Sequence, residues 1–143
     1  MKNPMSLAGM NIVVTGAGQG IGAAVARQIV GLGGTAILLD SQRDKVKAVA
    51  DALGSAAEAH AGTVTDPDFV RQVVEQAVRR HGAVHGLVNN AGIVRAAMIA
   101  KMAPHTWQQV IDVNLTGVFY CLQAVGCHML ERIAAGDASP ASI

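Results

Sequence analysis

The stretch VVTGAGQGIGAAVARQIV, Val13–Val30, decides how the rest of the chain is read. Gly16, Gly18, Gly20 and Gly22 occupy every second position, between an apolar run and a helix-like one. Residues 11–15, NIVVT, predict a short buried strand that delivers the chain to Gly16. Residues 21–32 predict a helix with Ile21, Val25, Ile29 and Leu32 on its apolar face, stopped by Gly33 and Gly34. A strand running into glycines that open a helix suits an anion. The helix N-terminus offers unpaired N–H groups and a partial positive charge. Glycine lets the backbone turn sharply and lets a pyrophosphate approach without a Cβ in the way. The loop residues Gly16, Gly18, Gln19, Gly20, Ile21 and Gly22 are therefore candidate phosphate contacts; a plain tight turn is the other reading.

The next apolar run, TAILLD at 35–40, ends in Asp40, 24 residues after Gly16. A carboxylate there accepts from both ribose hydroxyls and repels a 2′-phosphate, which favours NAD over NADP. Neither Ala17 nor Gln19 brings a cation into the loop, while Arg43 is near enough in sequence to soften the preference. Capping of the following helix is the alternative role for Asp40.

Outward from this unit the alternation continues. SQRDKVKAVADALG predicts a helix with Val46, Val49, Ala50 and Leu53 inward, and 56–61 a weak strand poor in β-branched residues. Asp66 as N-cap and Pro67 at N1 start a helix that reaches about His81 through Phe69, Val73, Val74, Ala77 and Val78. GLVNNAG predicts a further buried strand, and a loop holds Arg95 to Ala103. From Pro104 the pattern is helical for about thirty residues, until Gly136, Asp137 and Pro140. This rhythm implies an α/β fold: a Rossmann-like, doubly wound parallel sheet with helices on both faces, built as one unit over residues 1–143.

Composition agrees with one apolar-cored domain. Of 143 residues 51% are hydrophobic, 15% charged and only 3% aromatic, with a net charge of +1. That balance carries no footprint for nucleic acid and no polybasic membrane patch. The basic cluster Arg79, Arg80, His81 reads as a solvated helix terminus. No stretch reaches about 18 residues without charge or strong polarity, so no membrane span is expected. MKNPMSLAGM lacks the apolar segment of a leader, and a cytoplasmic location is the expectation. Cys121 and Cys127 lie six apart, a spacing that fits neither CxxC nor a zinc pair; they read as buried or reduced thiols, with no metal.

Three short motifs then stand in order: TGAGQGIG at Thr15–Gly22, NNAG at Asn89–Gly92 and VNLTG at Val113–Gly117. Together they resemble the signatures of the short-chain dehydrogenase/reductase family, over the chain from about Leu7 to Arg132. The resemblance implies that the glycine loop holds a pyrophosphate. It implies that Asn90, Ala91 and Gly92 pass beside the adenosine ribose and steady the central strand. It also makes Asn114 a catalytic-site residue that bends its helix and holds a water in a proton relay; a solvent-facing helix residue is the alternative. Thr63 stands where the family often has an adenine-contacting aspartate, so the Thr63 hydroxyl or the Val64 backbone takes that place. His85 stands where aspartate is common and reads as a surface or strand-edge residue.

The family's catalytic serine, tyrosine and lysine, the last two in a YxxxK pattern, have no counterpart here. The one tyrosine, Tyr120, is followed four positions on by Ala124, and the lysines are Lys2, Lys45, Lys47 and Lys101. Ser139 and Ser142 come early for the serine and are expected in a tail. The resemblance thus implies the N-terminal part of an NAD-dependent dehydrogenase or reductase of a small secondary alcohol or ketone, inactive alone. Its strand order would begin 3-2-1-4, with strand four as an edge. Its last helix would pair copies into a homo-oligomer. MLERIAAG leans toward the ketoacyl-carrier-protein-reductase-like members. Two readings compete with the enzyme: a nucleotide-binding module without turnover, and an assembly module using the edge and last helix. Met98, Met102 and Trp107 line a pocket or simply pack the loop.

Overall fold

Four parallel strands, β1 (Asn11–Thr15), β2 (Thr35–Asp40), β3 (Ala57–Ala61) and β4 (Gly86–Val88), form one sheet in the order β3-β2-β1-β4. The computed structural model describes residues 3–143; Met1 and Lys2, the latter among the lysines counted above, lie outside the described residues. Successive strand side chains point to opposite faces, and both faces are covered. Val13, Ile37, Leu39 and Leu87 meet α3 (Pro67–His81) and α5 (Gly117–Ala134). Val14, Ala36 and Leu38 meet α1 (Gly20–Gly31) and α2 (Arg43–Leu53). The expected order and the doubly wound layering are both present. β1 is central, so the glycine loop leaves the middle of the sheet at the carboxyl ends of the strands, where ligands bind in open α/β folds.

Several elements differ from expectation. α1 turns Gly22, Ala23, Ala26 and Ile29 inward, whereas Ile21 is 75% exposed. Close approach of α1 to the sheet selects small residues for its inner face, and spacing of large apolar residues alone points elsewhere. β3 does form where a weak strand is expected at 56–61, although alanine disfavours strands, because pairing with β2 from Ala36↔Ala57 to Asp40↔Ala61 overrides propensity. The cluster Arg79, Arg80, His81 does end α3 with both arginines exposed; Arg80 also donates to Glu58 of β3 at 2.6 Å, and His81 lies 3.3 Å from the same carboxylate. Cys127 is exposed while Cys121 is buried, its thiol pushed up to about 11 by burial.

The helical run from Pro104 is continuous to Ala134 but not uniform. α4 (Pro104–Ile111) passes into a π-helical turn over Asp112–Thr116 before α5 begins. By length and composition Pro104–Ala134 is long and apolar enough to cross a membrane, against the sequence expectation. No single stretch of it is uninterruptedly apolar, but over the long helix its few charged and polar residues are diluted. Cys121, Val125 and Met129 of that helix pack in the core with α3 and β1, as a core helix packs.

Ser142 is not in a loose tail. Its N–H donates to His85 O and its carbonyl accepts from Leu87 N–H, both at 3.1 Å, a parallel bridge beside β4. Ser139 N–H donates to Asp137 Oδ1 at 2.8 Å.

The amino end of β4 is fixed by two imidazoles acting as acceptors. His85 Nδ1 accepts from Asn11 N–H at 3.1 Å and His128 Nε2 from Val84 N–H at 3.0 Å. Arg132, buried between them, donates to Val84 O at 2.8 Å and to Asp137 Oδ2 at 2.7 Å. Burial first, and the Arg132 charge second, lower the pKa of both histidines, with Asp137 opposing. The folded state therefore binds fewer protons than the unfolded chain near and below the ordinary histidine pKa of about 6.5. Their contribution is present above that pH and is lost as pH falls through the lowered folded values. Thermal melts from pH 8 to 5 are expected to show a falling midpoint below about pH 6.5, and His128→Gln, which keeps an acceptor, is expected to flatten that slope.

Candidate functional site

A cleft of about 340 Å³ opens where the carboxyl ends of β1, β2 and β4 meet the start of α1. Gly16, Gln19, Gly20, Ile21, Asp40, Thr63, Val64, Asn90, Ala91 and Gly92 all line it, joined by Leu39, Ser41, Gln42, Gly62, Ile93 and Val113. Of the sequence candidates, Gly18 and Gly22 are buried behind this surface, and Asn114, exposed, lies outside the lining.

The glycine loop is pressed against the turn that follows β4. Gly16 has φ +64°, and a Cβ there would sit 2.8 Å from Ala91 Cα. A Cβ on Gly22 would collide with Gly16 O and Asn90 Nδ2. Asn90 Nδ2 donates to Thr15 O at 3.0 Å and to Gly16 O at 3.1 Å. Thr15, 1% exposed, completes the joint: its Oγ1 accepts from Asn90 N–H at 3.1 Å and Ala91 N–H at 3.0 Å, and donates to Val88 O at 3.4 Å. Thr15 was not among the predicted site residues. Its position inside TGAGQGIG was the signal, yet its partners lie 73 to 76 residues away.

The N-terminus of α1 carries no side-chain cap; Gln19 occupies the N-cap position without bonding the first turn. α3 provides the contrast, since Asp66 caps it by accepting from Asp68 N–H and Phe69 N–H. The first-turn N–H groups of α1 thus remain directed at the cleft without a side chain on them.

Asp40 is not the cap of α2; that position belongs to Gln42. Its Oδ2 accepts from Gly18 N–H and its Oδ1 from Gln42 N–H, each at 2.9 Å. An ionised carboxylate has about four acceptor positions, which leaves about two that the protein does not use. Arg43 lines the separate groove between α2 and β3, with Ala57, Ala59 and Ala61.

Thr63 Oγ1 shares a 2.8 Å hydrogen bond with Thr65 Oγ1, and Val64 is buried at the cleft wall beside the exposed Thr63. Asn114, within the π turn, pairs with the Ile93 backbone twice: Ile93 N–H donates to Oδ1 at 2.8 Å and Nδ2 donates to Ile93 O at 2.9 Å. The insertion that makes the π turn brings Asn114 to the loop after β4, where its amide holds the Ile93 backbone while the residue stays exposed. Met98 and Trp107 stand exposed with Val94 and Ile99.

The family model for short chain dehydrogenases matches residues 10–137. The chain belongs to the short-chain dehydrogenase family. It is 36% identical over 131 residues to the 3-oxoacyl-(acyl-carrier-protein) reductase of Thermotoga maritima, covering 90% of this chain and 53% of that protein. The Salmonella typhimurium reductase of the same name is 35% identical over 128 residues, covering 90% and 52%. Among solved structures, the 3-ketoacyl-(acyl-carrier-protein) reductase of Brucella melitensis complexed with NADH superimposes with a TM-score of 0.87 at 31% identity, over 92% of this chain and 55% of that one. A metagenomic short-chain oxidoreductase in complex with NADP gives 0.81 at 34%, over 87% and 58%. The short-chain dehydrogenase chain thus spans about half the length of the curated relatives it matches.

Thr15→Val removes the acceptor of two part-buried N–H groups. It is expected to destabilise the chain by about 2 kcal/mol or more in urea unfolding, while Thr15→Ser stays within about 1 kcal/mol. An unchanged midpoint for Thr15→Val would separate the joint from stability.

Proposed function

We propose that this chain binds NAD(H) and forms the cofactor half of an oxidoreductase that interconverts a secondary alcohol and a ketone, a 3-oxoacyl thioester being the favoured substrate class. The observation that carries the reading is the single cleft that gathers the glycine loop, Asp40 and the Asn90–Gly92 turn. The residues present fit a dinucleotide: Gly16 and Gly22 lie where a side chain would collide with the neighbouring turn, α1 presents uncapped N–H groups, and Asp40 keeps free acceptor positions. The similarity to 3-oxoacyl-(acyl-carrier-protein) reductases, and to solved structures complexed with NADH in one case and NADP in another, supports the class of chemistry.

When bound, the nicotinamide supplies or takes the hydride. This chain's residues bind and orient. The first turn of α1 and the loop N–H groups hold the pyrophosphate; Asp40 accepts from the adenosine ribose and disfavours a 2′-phosphate, so NAD is preferred. Thr63 and the Val64 backbone face adenine. Asn114 holds the Ile93 loop along the cleft and, as the resemblance implies, positions a relay water. No Tyr-x-x-x-Lys pair lies within these 143 residues, so nucleotide binding without turnover is the expectation for this chain by itself. Copies pair through α5, whose Phe119, Leu122, Leu130 and Ile133 are exposed; light scattering of the purified chain is expected to give twice the 14.7 kDa protomer mass, and a monomer would contradict the pairing.

Asp40→Ala is expected to weaken NAD binding about tenfold or more, since two charge-assisted hydrogen bonds are lost, and to narrow the gap between NAD and NADP. Calorimetric titration reads both. Equal affinity of the unmutated chain for the two nucleotides would contradict the role given to Asp40.

A further inference from the structure

The cleft lining holds one anion, Asp40, and no cation. A dinucleotide brings at least two negative charges to it. Among the described residues, α2 supplies a cation that touches the glycine loop. That helix carries three: Arg43, Lys45 and Lys47. Arg43 lines the groove against β3, and Lys47 is paired with Asp51 at 2.6 Å. Lys45 crosses to the loop instead, its ammonium donating to Gln19 Oε1 at 2.5 Å. Its stem lies against the loop beside Asp40: a Cβ on Gly18 would come 2.9 Å from Asp40 Oδ2 and 3.0 Å from Lys45 Cβ. The carboxylate and the lysine stem thus flank one point of the loop, at the ribose end of the cleft.

The partner of Lys45 is a neutral amide. Moving the ammonium from Gln19 onto a phosphate gains a charge-assisted contact and breaks no ion pair. The side chain is long, exposed and carries three donors, so it can make that move without disturbing α2. On the nucleotide reading proposed above, on which this rests, we infer that Lys45 sets how strongly the cleft discriminates between NAD and its 2′-phosphorylated form: released from Gln19 beside Asp40, its ammonium pairs the 2′-phosphate that Asp40 repels. Lys45 is thereby a specificity-determining residue, and the cation that the sequence reading sought in Arg43.

The test is calorimetric titration of NAD and NADP into the unmutated chain, Lys45→Met and Lys45→Arg, at low and high salt. The readout is the ratio of the two Kd values. Lys45→Met is expected to raise Kd(NADP)/Kd(NAD) about tenfold at low salt, less at high salt, with Lys45→Arg returning it to within about threefold of the unmutated ratio. A ratio that Lys45→Met leaves unmoved overturns the inference, including the case in which both affinities fall together, which would assign Lys45 to loop geometry alone. Binding of neither nucleotide to the unmutated chain overturns the proposed function and this inference with it; NAD binding with an unmoved ratio overturns the inference only.

Discussion

Everything at the cofactor cleft depends on the contact between the end of β1 and the turn after β4. Thr15 Oγ1 uses its donor and both acceptor positions there, and Asn90 returns two hydrogen bonds to the Thr15 and Gly16 carbonyls. These bonds close the gap between two strand ends that parallel pairing alone leaves open. Gly16 and Gly22 follow from that closure. With a side chain at either, loop and turn would have to separate, and the first turn of α1 would no longer face the same space as Asn90–Gly92. Backbone freedom in this loop is spent on approach between two segments of the chain as much as on approach of a ligand.

The sheet extends the same constraint outward. β2, paired with β1 through five residues, places Asp40 across from the loop, where its carboxylate accepts from Gly18 N–H. The residue that recognises ribose in the proposed function therefore also holds the loop. On the other side, Asn114 reaches Ile93 because a π turn shifts the register of a long helix by one residue. The loop is thus held by the side chains of Asp40 and Asn90, the turn and the segment after it by those of Thr15 and Asn114, and Asp40 itself by the backbone N–H groups of Gly18 and Gln42.

Much of this was legible in the sequence because strand ends, glycines and caps are local signals. β1, β2 and β4, the Asp66 cap with Pro67 behind it, and the order of motifs all read directly from neighbouring residues, with 56–61 only a weak strand candidate. What was not legible depended on distant partners. The inner face of α1 is small because the sheet is close, so Ile21, the large residue that periodicity turned inward, faces the cleft instead. β3 is a strand because β2 lies beside it, not because alanine prefers extension. The π turn leaves no mark in a helical period. Lys45 and Arg43 look alike on a helix start, and only their directions separate the one on Gln19 from the one beside β3. Ser142 looks like tail sequence until the backbone of β4 offers it partners.

The central claim is that the adenosine and pyrophosphate half of a dinucleotide site is complete within this chain. Amide-resolved NMR titration of the isotope-labelled chain with NAD tests it most directly. The account predicts saturable shifts concentrated at Gly16–Gly22, Asp40, Thr63–Val64 and Asn90–Gly92, with the α3–α5 face silent. Absence of binding, or shifts centred on the α3–α5 face instead of the glycine loop, would contradict it.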